Sequence, residues 1–139
     1  MGPAEFNDDL TIPDDAALWR RIPSWHFVFD ENLGRIRPSS AAFDNGGDDH
    51  PMSVVLAELV LASGRSHAEV LAGHVGFALA QFTAGLARSK QQGVQRDPLP
   101  EEPAHALVFG KKSGSVKRAF AIASQWIVPP PEKPAGLPS

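Results

Sequence analysis

The sequence predicts an α+β fold, and three observations carry that prediction. Segments in which apolar residues alternate are interleaved with segments in which they recur at helical spacing, without a strict strand-helix-strand rhythm. Neither heptads nor a repeat of fixed period occur. A chain of 139 residues, 42% hydrophobic and 21% charged, suffices for one ordinary core and not for two. One small domain is therefore expected over residues 14–128, with a short mixed or antiparallel sheet and about four helices; doubly wound α/β is the second choice. Residues 1–13 are expected to form a flexible acidic arm. Residues 129–139, with Pro129, Pro130, Pro131, Pro134 and Pro138, are expected to form a disordered, polyproline-like tail.

Within the domain, Asp14 or Asp15 can cap a short helical turn through Ala16, Ala17, Leu18 and Trp19, ended by Pro23. Trp25, Phe27 and Phe29 then alternate with Ser24, His26 and Val28, which predicts a strand with one aromatic face packed inward. Residues 35–43 read as a second extended piece that Pro38 confines to an edge or a loop. Asp44-Asn45-Gly46-Gly47-Asp48-Asp49 is a plain loop, since these residue types tolerate positive φ. A helix is predicted from Ser53 to Leu61 or Ala62, with Val55, Leu56, Leu59 and Val60 at helical spacing and Gly64 past its end.

Ser66-His67-Ala68-Glu69 is a capping box that opens a short helix to Gly73. The stretch from Val75 to Phe82 is assigned as a strand, and Thr83 caps a helix from Ala84 to Gln92 with Gly93 at its end. Residues 97–103 hold three prolines and form a loop. Ala104 to Phe109 reads as a buried strand. Gly110 to Gly114 turns the chain into a last helix, in which Val116, Ala119, Phe120, Ala123 and Ile127 share a stripe.

Composition also limits the chemistry. With no cysteine there are no disulfides, thiolate metal sites or cysteine nucleophiles. Residues 1–15 are acidic and lack Lys and Arg, unlike a secretory leader, and no apolar run approaches the ~20 residues that span a bilayer. A cytoplasmic protein is expected. The net charge of −3 is uneven: residues 1–60 carry eleven acids and four bases, residues 61–139 five acids and nine bases.

Four groups are candidate sites. Gly110-Lys111-Lys112-Ser113 lacks the glycine five residues earlier that a Walker loop needs, since His105 stands there. Lys111, Lys112, Lys117 and Arg118 nonetheless flank a predicted helix start, where free N–H groups attract anions; a solvated basic turn is the plainer reading. His105 opens a predicted buried strand near Asp97, Glu101 and Glu102, so a carboxylate can orient it for proton transfer, or it is a satisfied structural histidine. Arg35, Arg37, Ser39 and Ser40 form a compact polar group suited to a carboxylate or phosphate, or to a solvated turn. The five histidines show no metal-binding spacing, so no metal is expected.

Leu18-Trp19-Arg20-Arg21-Ile22, Arg37-Pro38-Ser39-Ser40-Ala41-Ala42-Phe43, Met52-Ser53-Val54, and Pro103-Ala104-His105-Ala106-Leu107-Val108 with Gly110-Lys111-Lys112 resemble a group of small uncharacterised bacterial proteins over most of residues 18–128. That resemblance implies a bacterial, single-domain protein and no particular activity. The order Arg20 or Arg21, Ser39 or Ser40, Glu101 or Glu102 resembles ADP-ribosyltransferase-type folds, in which an arginine holds the dinucleotide ahead of a serine-bearing strand and a glutamate. It implies a nucleotide-handling enzyme with NAD as its cofactor.

The leading expectation is a binding or adaptor protein for a protein partner or a small anionic ligand, without a cofactor. Residues 35–40 and 105–118 would meet in one concave, positively charged pocket. The alternative is the nucleotide enzyme, with Arg20 or Arg21 and the basic segment gripping phosphate and His105 or Glu102 handling a proton. A third reading is polyanion binding, nucleic acid included, through the same bases.

Overall fold

The structure, a computed structural model, describes residues 5–47 and 50–131. In chain order its elements are β1 (Ala17–Ile22), a 3-10 turn (Ser24–His26), β2 (Phe27–Asp30), β3 (Arg35–Pro38), a second 3-10 turn (Ser40–Ala42), β4 (Met52–Leu56), α1 (Ala57–Ala62) and α2 (His67–Val70). They continue with β5 (Ala78–Thr83), α3 (Ala84–Ser89), β6 (Gly93–Arg96), β7 (His105–Phe109), α4 (Gly114–Ala123) and β8 (Gln125–Val128). Six strands form one sheet in the order β6-β7-β4-β1-β5-β8, and β2-β3 is a separate hairpin. All strand pairs are antiparallel, so the fold is α+β.

Alternation along each strand divides the core into two layers. Leu18 and Ile22 of β1, Met52, Val54 and Leu56 of β4, and Ala80 and Phe82 of β5 face one way, onto Phe43 and onto Phe120 and Ala121 of α4. Trp19, Val55 and Leu79 face the other way, onto Ala57 and Val60 of α1 and Val70 of α2. The central strands are therefore buried on both sides.

That double burial explains where structure and sequence expectation part. Residues 14–19 do not make a helical turn: Asp14 and Ala16 accept from the N–H groups of Gly85 and Ala84, and β1 pairs with β5 over its whole length, from Ala17 opposite Thr83 to Ile22 opposite Ala78. Six cross-strand pairs outweigh one local cap. The helix expected from Ser53 starts only at Ala57, because residues 52–56 are a strand with both faces covered, whose continuous apolar run mimics helical spacing. The last helix ends at Ala123. Ser124 is extended, and Gln125–Val128, rich in β-favouring residues, becomes the edge strand beside β5.

Smaller corrections follow the same logic. The strand expected from Val75 starts at Ala78, and the helix expected to reach Gly73 stops at Val70. Trp25 lies in the 3-10 turn and is 74% exposed, and Phe29 is 43% exposed, so of the three alternating aromatics Phe27 is the one that packs inward, 5.8 Å from Trp126. Gly93 is not a helix end. Gln91 takes the positive φ there, at 62°, and Gly93 sits in β6 opposite Phe109, whose ring fills the place of a Cβ.

Several local readings hold. Glu69 accepts the Ser66 N–H at 3.2 Å in the capping box of α2. Thr83 caps α3 by accepting from Leu86 N at 3.1 Å. Pro38 lies at the end of a strand in the two-stranded sheet.

The acidic arm, expected outside the fold, contributes to it. Ile12 is 1% exposed in the core. Asp9 N donates to Val94 O at 2.8 Å, and the Asp8 carboxylate accepts from Val94 N at 2.9 Å, so this segment covers the outer edge of β6. Of the expected tail, residues 129–131 carry no regular structure, and residues 132–139 lie outside the described residues.

Candidate functional site

Met52 pairs with Val108, which brings the loop entering β4 and the turn leaving β7 to one end of the sheet. Between them lies a cleft of about 770 Å³ lined by Phe6, Asp44, Asn45, Phe109, Lys111 and Lys112 among others. The rings of Phe6 and Phe109 stack with centroids 5.7 Å apart and planes at 28°, making an aromatic wall. Gly93 makes room for that wall, because a Cβ there would stand 2.1 Å from Phe109 Cζ.

Lys112 ties the opposite wall together. Its Nζ donates to Asn45 Oδ1 at 2.6 Å and Val108 O at 2.9 Å, while Asn45 Nδ2 donates to Gly110 O at 3.1 Å. Lys117 Nζ stands 3.3 Å from Asp44 Oδ2. Gly110 has φ +134°, and a Cβ there would meet the Gln92 amide at 2.8 Å. Gln92 is buried and donates from Nε2 to Lys111 O at 2.9 Å, with its Oε1 unpartnered among the described residues.

Arg20 lies behind this wall. Its Nε donates to Ala42 O at 2.7 Å and its Nη1 to Ser53 O at 2.6 Å, and among the described residues no carboxylate pairs with it. Burial pushes its guanidinium down to about 10, with Asp44 opposing. The Lys112 ammonium is pushed down to about 8, first by burial and then by Arg20, again with Asp44 opposing.

A depressed amine binds fewer protons folded than unfolded between pH 8 and its ordinary 10.5, so stability rises with pH across that window. The chain has neither tyrosine nor cysteine to blur it. The urea midpoint of the native protein is expected to climb between about pH 8 and 10, and Lys112→Met is expected to lose that climb. A flat native profile would count against a strained ammonium.

The remaining candidates lie elsewhere. On β1, Arg20 joins the layer of Ala42, while Arg21 points to the opposite layer and donates from Nε to Val70 O at 2.7 Å. Glu102 is clamped by Arg65 through two bonds of 2.9 and 2.6 Å and also accepts from Ala104 N. Hydrogen bonding from Arg65 outweighs burial and holds its carboxyl below the ordinary value. His105 Nδ1 is 2.9 Å from Asp97 Oδ2, and its ring borders a cavity of about 90 Å³ shared with Trp19, Arg21 and Val70, where β1 and β4 splay after two ladder pairs. Glu101 is exposed.

Arg37 is consumed by Asp30 at 2.6 Å, and Arg35 reaches Ile122 O at 3.3 Å. The Ser39 hydroxyl is buried without a partner among the described residues, and Ser40 begins the second 3-10 turn. Arg118 is exposed. The two basic stretches do approach, since α4 packs on residues 40–42. They do not form the single positive pocket expected, because Asp30 and Asp44 neutralise Arg37 and Lys117 while His105 borders the cavity with Arg21 and Val70. Arg20, the serines and Glu102 likewise do not converge: Arg20 lies beside the turn that follows Ser39, and Glu102 lies with Arg65 near Arg21.

Phe6, Asp44, Asn45 and Phe109 escaped sequence reasoning as site residues. The loop signal at Asn45 was visible, but its partner stands 67 positions away. Among the described residues no group of three or more His, Asp or Glu is placed to hold a metal, and no helix is long and apolar enough to cross a membrane. The chain matches no family model, no curated protein and no solved structure in comparisons with known proteins.

Proposed function

We propose that the protein binds a small anionic ligand with a planar apolar part, held in the cleft between the Phe6–Phe109 wall and the Lys111–Lys112 turn. One observation carries this reading: an aromatic wall and two ammonium groups border the same cleft of about 770 Å³. That volume falls within the ~300–1,000 Å³ usual for small-molecule sites. Lys112 is committed to Asn45 and Val108, and Lys117 to Asp44, so Lys111 is the exposed cation that a ligand would meet. The planar part would pack against the wall that Phe6 and Phe109 form, and the anion would pair with Lys111.

The test is a calorimetric and thermal-shift comparison of adenosine monophosphate, NAD and benzoate, with succinate as the aliphatic control. At least one aromatic anion is expected to bind more tightly than succinate. Lys111→Ala is expected to weaken that binding about 5- to 30-fold, the loss of one charge-assisted contact of roughly 1–2 kcal/mol. Its unfolding midpoint should stay at the native value, because the side chain is exposed. Equal affinity in Lys111→Ala, or no binding by any aromatic anion, would overturn the assignment.

A further inference from the structure

We propose that the gap between β1 and β4 is a second binding site, which takes one short carboxylate of acetate size. The two strands part in the middle of the sheet. Leu18 pairs with Leu56 and Trp19 with Val55, and the register ends there. Each strand keeps its outer partner beyond that point, since β1 stays paired with β5 to Ile22 and β4 stays paired with β7 back to Met52. The opening is thus flanked by intact ladders and is not a frayed strand end.

Backbone direction shows which groups face it. Leu56 N donates to Ala104 O on the β7 side, so the alternating backbone groups of Val55 and Ser53 turn toward β1. A continuing ladder would set Arg21 opposite Ser53. Instead Ser53 O accepts from the side chain of Arg20, through Nη1 at 2.6 Å. A cavity of about 90 Å³ fills the gap, lined by Trp19, Arg20, Arg21, Ser53, Val70 and His105 among others. At ~30 Å³ per water it has room for about three waters, or for one molecule of about four heavy atoms.

The lining selects an anion. Arg20 and Arg21 both border the cavity, and among the described residues neither has a carboxylate in hydrogen-bond contact. Glu102 acts on Arg21 only at longer range and is itself clamped by Arg65, while Asp97 faces His105. Arg21 uses Nε on Val70 O, which leaves the N–H groups of its two terminal nitrogens to meet a carboxylate. Ser53 is exposed, so a hydroxyl stands where the gap opens to solvent. Trp19, Val55 and Val70 supply an apolar side large enough for one methyl group. The gap shares no lining residue with the Phe6–Phe109 cleft, so filling one does not require the other.

The experiment titrates the full 15N-labelled chain with sodium acetate and, at matched ionic strength, with sodium chloride, following the backbone amides of Arg21, Ser53 and Val70. Acetate is expected to shift these amides along one saturating curve with a midpoint in the millimolar range, on the order of what so few atoms can supply. Chloride lacks the paired oxygens and should not reproduce the curve. Arg21→Gln is expected to weaken acetate binding about 10-fold or more. Ser53→Asp keeps Arg21 and sets a carboxylate at the exposed mouth, so it should weaken binding as much, and it decides the matter if Arg21→Gln does not fold. Lys111→Ala should leave the titration unchanged. Shifts that stay linear in acetate, that chloride matches, or that persist at native affinity in Arg21→Gln or Ser53→Asp would overturn the proposal. So would their loss in Lys111→Ala, which would assign them to the other cleft.

Discussion

Phe120→Ala is expected to lower the unfolding free energy by about 3–5 kcal/mol, the range for removing a fully buried aromatic ring. Phe120 is 0% exposed, and its ring lies 4.9 Å from that of Phe82 and 6.0 Å from that of Phe43. These three rings join the last helix, β5 and the residue that follows the second 3-10 turn. The cavity would not collapse easily. Phe82 belongs to β5, which is paired on both sides, and the residue before Phe43 is anchored through Ala42 O to Arg20. Urea unfolding followed by circular dichroism measures the loss, and a value below about 1 kcal/mol would show that the rings are not packed as described. Because Asp44 and Asn45 directly follow Phe43, the same substitution should also loosen the cleft that they line.

Arg88→Met is expected to cost about 2–4 kcal/mol, somewhat under the loss typical of breaking a fully buried ion pair because the guanidinium retains some contact with solvent. Arg88 pairs with both carboxylate oxygens of Asp8 at 3.0–3.2 Å and with Asp14 at 2.8 Å, and it donates to Ile12 O and Asp9 O at 2.8 and 2.9 Å. One side chain thus ties Asp8, Asp9, Ile12 and Asp14 to α3. Arg88→Lys should not rescue it, since a point ammonium cannot reproduce the planar fork.

Burial pushes the Asp8 carboxyl up, but hydrogen bonds from Arg88 and Val94 N outweigh it and hold the group below its ordinary 3.8. A depressed carboxyl contributes stability above its unfolded value and loses it as pH falls through the folded one. The native midpoint should therefore drop as the pH falls below about 4, and Arg88→Met should flatten that slope. Hydrogen exchange at the Val94 amide, bonded to Asp8, should quicken in the variant. Unchanged exchange would show that the arm does not depend on Arg88.

The readings that held were those in which every partner lies within a few residues. The Ser66–Glu69 capping box and the Thr83 cap involve backbone groups satisfied locally, so residue type and spacing suffice to specify them. The strand read from the apolar run Ala104 to Phe109 also held, as His105–Phe109, because its apolar residues are closely spaced. Residues 17–22, 52–56 and 125–128 were not legible. Their local patterns fit a helix as well as a strand, and the choice was made by distant ladders such as Leu18 opposite Phe82.

The candidate site divides the same way. Lys111 and Lys112 stood out as a basic turn, and Asn45 as a loop residue, but their meeting depends on Met52 pairing with Val108. The arm was misread because acidic residues look solvated until an arginine some eighty positions away, Arg88, is known to face Asp8. By itself, the sequence determined the fold class and the starts of the two helices capped at Ser66 and Thr83, since composition, periodicity and caps act over one or two turns. Tertiary structure alone decided which ambiguous runs became strands, which cations were neutralised and which side chains share a cleft. Those outcomes rest on hydrogen-bond and charge partners supplied by remote parts of the chain, and no local pattern encodes them.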